Sequence, residues 1–141
     1  MTVLRFLTPK RQTCYLNTNS TVRQAIEKFN YYGLSVIPII DEHGRYVATV
    51  SESDVMKYLK KNRQTDLNSA NKINILSAIK SDSYIACGLY VNESIVAELL
   101  IRQSFVPIID DRGVFCGVVQ RRTLLEAFAY NNRAQLEFKK L

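Results

Sequence analysis

One stretch of the chain, Gly33-Leu-Ser-Val-Ile-Pro-Ile-Ile-Asp-Glu-His-Gly44, has a close counterpart in Arg102-Gln-Ser-Phe-Val-Pro-Ile-Ile-Asp-Asp-Arg-Gly113. The two stretches align without a gap at an offset of 69 residues (107 − 38 = 69), and the match extends back to Val22 and Val91. The period is about half of the 141-residue chain. The sequence therefore predicts two copies of one unit, which is too few for a solenoid.

Each copy has the pattern of a β-α-β-β-α unit. Val22, Ala25, Ile26 and Phe29 recur at helical spacing, and Gly33 suits the C-cap of that helix. The predicted elements span 12–16, 21–32, 35–40, 45–50 and a helix from 51, then 83–87, 92–103, 105–109, 114–119 and 121–130. The chain accordingly divides into a first copy (1–62), a linker with a short helix (63–80), a second copy (81–130) and a basic C-terminal tail (131–141).

Composition narrows the classes of protein and partner. With 47% hydrophobic and 23% charged residues, the chain is typical of a compact soluble domain. A net charge of +6 favours anionic partners. There is no apolar run of bilayer length, and Lys10 and Arg11 follow a short apolar start, so we expect a cytoplasmic protein without a signal peptide or membrane contact. The three widely spaced cysteines predict reduced thiols and no metal site.

A set of short motifs carries a family resemblance. Val-x-x-Ala-Ile, Ile-Pro-Ile-Ile-Asp-x-x-Gly and Val-Ser-x-x-Asp stand in order, and the set is repeated in part at one offset. It resembles the cystathionine-β-synthase (CBS) domain, and two copies resemble a tandem CBS pair, or Bateman module. The opening Phe6-Leu-Thr-Pro-Lys10 is similar to that of small stand-alone CBS-pair proteins of Gram-positive bacteria. The resemblance implies an α/β fold of two β-α-β-β-α motifs about a pseudo-two-fold axis, with two clefts for adenosine-containing ligands.

In that family a Ser/Thr-x-x-Asp sequence before the second helix holds the ribose hydroxyls. The first copy has Ser51 and Asp54 at these positions, whereas the second copy has Gln120 and Thr123. Ser followed by an acid three residues later is also what a helix N-terminus favours, so a purely structural capping box is the alternative interpretation. The resemblance favours ribose binding by the first copy and predicts that the two clefts differ.

The resemblance also implies which residues surround the adenine in each cleft. For the cleft that faces Asp54, they are Ser83, Ser104, Phe105 and Pro107. The alternative for Phe105 and Pro107 is a plain role in the core. For the second cleft, they are Cys14, Leu34 and Pro38, beside Gln120 and Thr123.

Two arginines stand where the last helix begins, a place where the positive end of the helix dipole disfavours cations. Arg121 and Arg122 therefore predict a phosphate site in the second cleft, with Lys10 and Arg11 adding charge at its mouth. The alternative is that both arginines are solvated and pair with Asp110 or Glu126.

These residues predict a non-catalytic regulatory module. We expect it to bind AMP, ADP or ATP between the copies, to act as a homodimer and to signal to an unidentified partner protein; cyclic di-AMP is the alternative ligand. A second alternative, nucleic-acid binding, rests only on the positive charge. The single histidine, His43, falls in a predicted turn without a nucleophile beside it, so we expect no enzymatic activity and no cofactor.

Overall fold

The computed structural model describes residues 3–63, 67–79 and 84–140 and has an α/β fold. Two small sheets each carry helices, and an antiparallel bridge between Arg45 and Val114 joins the two halves. The strands are β1 Leu7–Pro9, β2 Leu16–Asn17, β3 Val36–Ile40, β4 Tyr46–Ser51, β5 Cys87–Gly88, β6 Phe105–Ile109 and β7 Phe115–Gln120. The α-helices are α1 Val22–Tyr32, α2 Glu52–Lys61, α3 Leu67–Ala70, α4 Glu93–Leu99 and α5 Arg121–Lys140. Short 3-10 helices cover Val3–Phe6, Lys10–Gln12 and Ile75–Ala78.

Strand register confirms the internal repeat. One sheet has the order β2-β3-β4 and the other the order β1-β7-β6-β5. In the first sheet Pro38 of β3 pairs with Thr49 of β4, and in the second Pro107 of β6 pairs with Val118 of β7. Each residue of the second pair stands 69 positions after its counterpart in the first pair (107 − 38 = 69; 118 − 49 = 69). The two hairpins are therefore the same structure built twice.

Local signals in the sequence set the ends of the first helix. The Thr21 hydroxyl accepts a hydrogen bond from the Gln24 N–H, and the Gln24 side chain accepts one from the Thr21 N–H. Gly33 ends the helix with a left-handed φ of 63°, a conformation that glycine adopts without steric cost. Val22, Ala25 and Phe29 are buried on one face, as the periodicity predicts.

The two hairpins join at the pseudo-two-fold axis. Arg45 and Val114, which are equivalent residues (114 − 45 = 69), form an antiparallel bridge. The Tyr46 N–H donates to Gly113 O at 3.0 Å, and the Phe115 N–H donates to Gly44 O at 2.8 Å. Beside this bridge lies a core shared by both copies, formed by Ile40, Phe105, Phe115 and Val118 with Tyr15, Val36, Tyr46 and Tyr84. Main-chain bonds and apolar burial thus both hold the copies together.

The N-terminal strand lies in the second sheet, which the sequence division at residues 1–62 does not anticipate. β1 pairs antiparallel with β7, with Leu7 opposite Val119 and Pro9 opposite Gly117. β1 can approach β7 this closely because residue 117 is a glycine: a Cβ at this position would lie 2.1 Å from Thr8 O. The equivalent position in β4 is Ala48 (117 − 69 = 48), and β4 has only β3 as a strand neighbour among the described residues.

Several other element bounds differ from the predictions. β2 begins at Leu16, near the end of the predicted strand 12–16; before it, Lys10–Gln12 form a 3-10 helix, and the Thr13 hydroxyl donates to Pro9 O at 2.9 Å. α4 ends at Leu99, and buried Gln103, four residues later, bonds the backbone of Ile85 and Phe105 through its side-chain amide. α5 continues to Lys140 through the predicted tail, a stretch without Gly or Pro.

The described part of the linker packs on the first copy. Ala70, Ile75 and Ala78 are buried in the same cluster as Val22, Ile37 and Val50. Residues 67–78 therefore extend the first core. Within the described residues, the helices are too short or too polar to cross a bilayer, and no three His, Cys, Asp or Glu side chains are grouped to hold a metal ion.

Candidate ligand-binding cleft

A cleft of about 550 Å³ lies between the two copies. One wall comes from the segment after β1, and a second wall comes from the end of α1 and the start of β3. The third wall belongs to the second copy and comes from β6, β7 and the start of α5. The lining residues that the argument uses are Arg11, Cys14, Leu34, Ser35, Pro38, Ser104, Phe105, Gln120 and Arg122. A ligand in this cleft would contact both copies at once.

The backbone fixes the apolar part of this cleft. Gly33 turns the chain out of α1, and the Leu34 N–H donates to Phe29 O at 3.0 Å, which places Leu34 at the cleft wall. Pro38 lies in β3 and is held by its pairing with Thr49. Cys14 completes the wall, and burial raises the pKa of its thiol, an effect that the charge of Lys28 partly opposes. The thiol is therefore neutral near pH 7 and acts as a small apolar group.

The charge of the cleft is positive. Arg11 and Arg122 line it, and no Asp or Glu stands among its described lining residues. Arg122 Nε lies 2.7 Å from Glu126 Oε1 one helical turn away, with both side chains largely exposed. Exposed pairs at this spacing contribute only about 0.3–0.5 kcal/mol, so the guanidinium is available to a stronger anion.

The Arg121 side chain bonds a backbone carbonyl outside the cleft. Its Nε donates to Leu100 O at 2.6 Å, at the C-terminal end of α4, and its backbone N–H donates to Ser104 O at 2.9 Å. A cation is favourable at a helix C-terminus, which offsets the unfavourable place of Arg121 at the start of α5. Arg121 thus ties α4 to α5 and does not line the cleft.

A second, open groove continues from this cleft along α5. It has a volume of about 530 Å³ and is lined by Ser104, Arg121, Arg122, Leu125, Glu126 and Ala129. Ser104 and Arg122 belong to both cavities. Arg122 therefore stands at the boundary between the cleft and the groove.

Comparison with known proteins finds a family model that matches part of the chain and solved structures that share its fold. The family model of the CBS domain matches residues 9–61. This part of the chain is similar to a CBS domain. A search of curated proteins finds no match to the chain.

Solved structures extend the likeness to the whole chain. CbpB in complex with c-di-AMP is similar with a TM-score of 0.84 and 20% identity, over 99% of this chain and 90% of that one. CbpB of Listeria monocytogenes, also in complex with c-di-AMP, has a TM-score of 0.80 and 19% identity, over 94% and 98%. CBSX2 in complex with AMP has a TM-score of 0.74 and 22% identity, over 93% and 98%. The chain has the fold of a tandem CBS pair, as the sequence predicts.

The fold brings together most of the residues that the sequence assigns to the second cleft of the CBS pair. Cys14, Leu34, Pro38 and Gln120 line one cavity with the predicted phosphate ligands Arg11 and Arg122. Three other predicted residues do not line it. Arg121 bonds α4, Thr123 lies one residue beyond Arg122 in α5, and the Lys10 ammonium lies 5.4 Å from the Tyr15 ring centroid.

Ser104 and Phe105 line this cleft although the sequence assigns them to the other one. The pseudo-two-fold axis relates Ser104 and Phe105 to Ser35 and Val36 (104 − 69 = 35; 105 − 69 = 36). All four residues line the same cavity. The starts of β3 and β6 therefore both face this cleft. Applying the 69-residue offset to Ser104 and Phe105 would have found Ser35 and Val36, which sequence reasoning missed. It also missed Gln12, Thr13, Tyr32, Gly33 and Val118.

Ser51, Asp54 and Pro107, which the sequence assigns to the first cleft, are not among the residues that line this cavity. Ser51 and Asp54 form a reciprocal capping box at α2: the Ser51 hydroxyl accepts from the Asp54 N–H at 3.0 Å, and Asp54 Oδ2 accepts from the Ser51 N–H at 3.2 Å. Such a cap is worth about 0.5–2 kcal/mol. Pro107 is buried in β6, and Ser83 lies outside the described residues. Ribose binding by Ser51 and Asp54 stays a prediction.

Proposed function

We propose that this protein is a non-catalytic regulatory module that binds an adenine nucleotide in the cleft between its two copies. The observation that carries the proposal is the pairing of an apolar slot with two arginines in a cavity whose described lining is free of acidic residues. An uncharged purine needs such a slot, and phosphates need such cations. That CbpB and CBSX2 were solved with c-di-AMP and AMP gives the proposal independent support.

Each part of the nucleotide has a counterpart in this arrangement. The adenine would lie against Leu34 and Pro38, with the hydroxyls of Ser35 and Ser104 within the same cavity for its polar edge. The phosphate would lie between Arg11 and Arg122, near the first N–H groups of the 20-residue helix α5. Helix N-termini and guanidinium groups both favour anions.

Among adenine nucleotides, the geometry favours cyclic di-AMP over AMP, ADP or ATP. A free ribose diol is best held by a carboxylate, and the described lining of this cleft offers none. Cyclic di-AMP has its 3′ oxygens in phosphodiester bonds and therefore presents no free diol. It also presents two phosphates to the two arginines.

Signalling would follow from the position of the cleft. Because both copies line it, a bound ligand favours the relative arrangement that closes the cleft, by no more than its differential affinity for the two states. A partner protein would read that arrangement. We further propose a homodimer through exposed apolar residues on the outer helices, Met56, Leu125 and Phe128 beside the partly buried Tyr58. The three free thiols agree with a reducing, cytoplasmic location.

Calorimetric titration with adenosine, AMP, ATP and cyclic di-AMP tests the proposal. We expect every phosphorylated ligand to bind at least tenfold more tightly than adenosine, and cyclic di-AMP to bind most tightly. At 100 times its dissociation constant, each should raise the free energy of unfolding by about 2.7 kcal/mol. Absence of binding by all four would refute the proposal. Tight binding of a DNA duplex instead, with a log–log salt slope of about −0.9 per phosphate contact, would favour the nucleic-acid alternative.

A further inference from the structure

The two copies differ in the register of the segment that precedes their core helix. In the first sheet Leu16 of β2 pairs with Ile39 of β3, and in the second sheet Cys87 of β5 pairs with Ile108 of β6. The residues of β3 and β6 are 69 positions apart, whereas those of β2 and β5 are 71 apart (108 − 39 = 69; 87 − 16 = 71). The segment before β5 therefore corresponds to the segment before β2 at an offset of 71 residues.

In the first copy, the segment before β2 and the start of β3 are two sides of the inter-copy cleft. Thr13 and Cys14 line it on one side, and Leu34 and Ser35 line it on the other. No hydrogen bond between these two pairs is found in the part of the chain that the structure describes. The gap between them is therefore open to a ligand.

In the second copy, four described hydrogen bonds cross the equivalent gap. Its sides are Tyr84 and Ile85 (84 − 13 = 71; 85 − 14 = 71) and Gln103 and Ser104 (103 − 34 = 69; 104 − 35 = 69). The Gln103 side-chain amide donates to Ile85 O at 3.0 Å and accepts from the Ile85 N–H at 3.1 Å. The Tyr84 hydroxyl lies 3.0 Å from the Ser104 hydroxyl and accepts from the Ser104 N–H at 3.2 Å. These bonds join the two sides that the first copy leaves apart.

Burial opposes the opening of this second gap. Gln103 is 4% exposed, and its amide also donates to Phe105 O at 2.9 Å. The Tyr84 ring centroid lies 5.1 Å from that of Phe105, within the core shared by both copies. Opening the gap would leave the buried amide of Gln103 without partners, which is unfavourable. The first copy lacks this closure because Leu34 has no polar side-chain group and the Thr13 hydroxyl bonds the backbone of its own turn.

A cavity of about 390 Å³ lies beside the closed gap but does not reopen it between the copies. Its lining consists of Tyr84, Ile85, Ile95, Glu98, Leu99, Arg102 and Gln103. These described lining residues all belong to the second copy, whereas the open cleft is lined by both copies. A ligand in this cavity would not bridge the copies.

We propose that Tyr84 and Gln103 close one of two pseudo-symmetric nucleotide positions, so that each chain binds nucleotide in the open cleft alone. The inference rests on the proposed function of that cleft. Closure limits the chain to one nucleotide and places it on one side of the pseudo-two-fold axis. A bound ligand then acts unequally on the two copies, which gives the change in their relative arrangement a single direction.

Calorimetric titration of a Tyr84→Thr/Gln103→Leu double variant with AMP tests the closure, because the variant places the first-copy residues in the second copy. We expect the unmodified chain to bind one AMP. The double variant should bind two, with the added site at least roughly tenfold weaker because its other residues are not matched. Tyr90→Thr is the matched control: Tyr90 is 85% exposed in the same copy and lines neither cavity. It should bind one AMP with unchanged affinity.

Amide hydrogen exchange in the unliganded, unmodified chain gives a second measurement, which needs no variant to fold. The Ile85 and Ser104 N–H groups are bonded across the closed gap, whereas the N–H groups of Cys14 and Ser35 make no bond among the described residues. After correction for intrinsic rates, NMR should show exchange at least roughly tenfold slower at Ile85 and Ser104 than at their first-copy counterparts.

Three results would overturn the inference: two AMP molecules bound per unmodified chain, exchange at Ile85 as fast as at Cys14, or a folded double variant that still binds one AMP. Slow exchange at Ile85 in a chain that binds neither AMP nor cyclic di-AMP would support the closed gap and refute the proposed function. Failure of the closure and failure of the proposed function are thus distinguishable.

Discussion

A Gly117→Ala variant is expected to lose about 2–4 kcal/mol of folding free energy, because two penalties combine. The added Cβ would lie 2.1 Å from Thr8 O and 3.0 Å from Pro9 Cα, so the backbone of β1 must move away from β7. The φ of Gly117 is also 149°, a conformation that an alanine adopts only with strain. Unfolding in guanidinium chloride measures the loss.

Gly88→Ala is the matched control for this prediction. Gly88 lies in β5 of the same sheet, and a Cβ there meets no atom within 4 Å. We expect its free energy of unfolding to change by no more than about 0.5 kcal/mol. If Gly117→Ala were as stable as Gly88→Ala, the pairing of β1 with β7 would be wrong.

Displacing β1 also has a consequence for the cleft. Residues 10–14 follow β1 directly, and Arg11 and Cys14 line the cleft before the chain enters the first sheet at Leu16. The segment is thus anchored in the second sheet on one side and in the first sheet on the other. Gly117→Ala should therefore weaken nucleotide binding as well as folding, although Gly117 itself is not among the cleft residues.

The second large effect is expected from Arg122→Ala, which should reduce affinity for cyclic di-AMP and AMP roughly ten- to hundredfold. The reason is the loss of charge-assisted hydrogen bonds to phosphate, worth about 1.5–3 kcal/mol. Adenosine has no phosphate, so its affinity should not change. Calorimetric titration of the three ligands separates these effects.

Arg112→Ala supplies the control, since it removes the same charge from an exposed hairpin turn outside the cleft. It should leave all three affinities unchanged, which excludes a general effect of net charge. A parallel loss of adenosine and nucleotide affinity in Arg122→Ala would contradict phosphate binding by this residue. Equal affinities in Arg122→Ala and Arg112→Ala would support the alternative that Arg122 is only a solvated partner of Glu126.

The repeat was predictable from sequence because it depends on residues that both copies share. The offset between Pro38 and Pro107 fixes the equivalence of the hairpins, and the Asp-x-x-Gly turns recur with Gly44 and Gly113 at positive φ of 78° and 81°. A strand that is buried on both faces is a continuous apolar run, and a tight turn needs particular residue types, so short motifs suffice to predict both. What both copies have in common was therefore accessible from the sequence.

Features that break the repeat were harder to predict. The placement of β1 depends on a contact between residues about 110 positions apart (117 − 9 = 108), and its only local trace is Gly117 where the first copy has Ala48. Similarly, the partner of Arg121 is a carbonyl 21 residues earlier, at the end of a helix shorter than the periodicity predicts. Such pairings come from tertiary packing, which a pattern of residue types does not encode by itself.

Alkylation of Cys14 in the presence of ligand tests nucleotide binding in the cleft most directly. Burial raises the pKa of Cys14, Cys87 and Cys116, so the reaction with iodoacetamide is best followed near pH 9 by mass spectrometry. Cys14 and Cys116 are both partly buried, but only Cys14 lines the cleft. Saturating cyclic di-AMP or AMP should slow the alkylation of Cys14 several-fold and leave Cys116 unchanged. Bound ligand that leaves the rate at Cys14 unaltered, or slows all three thiols alike, would contradict binding in this cleft.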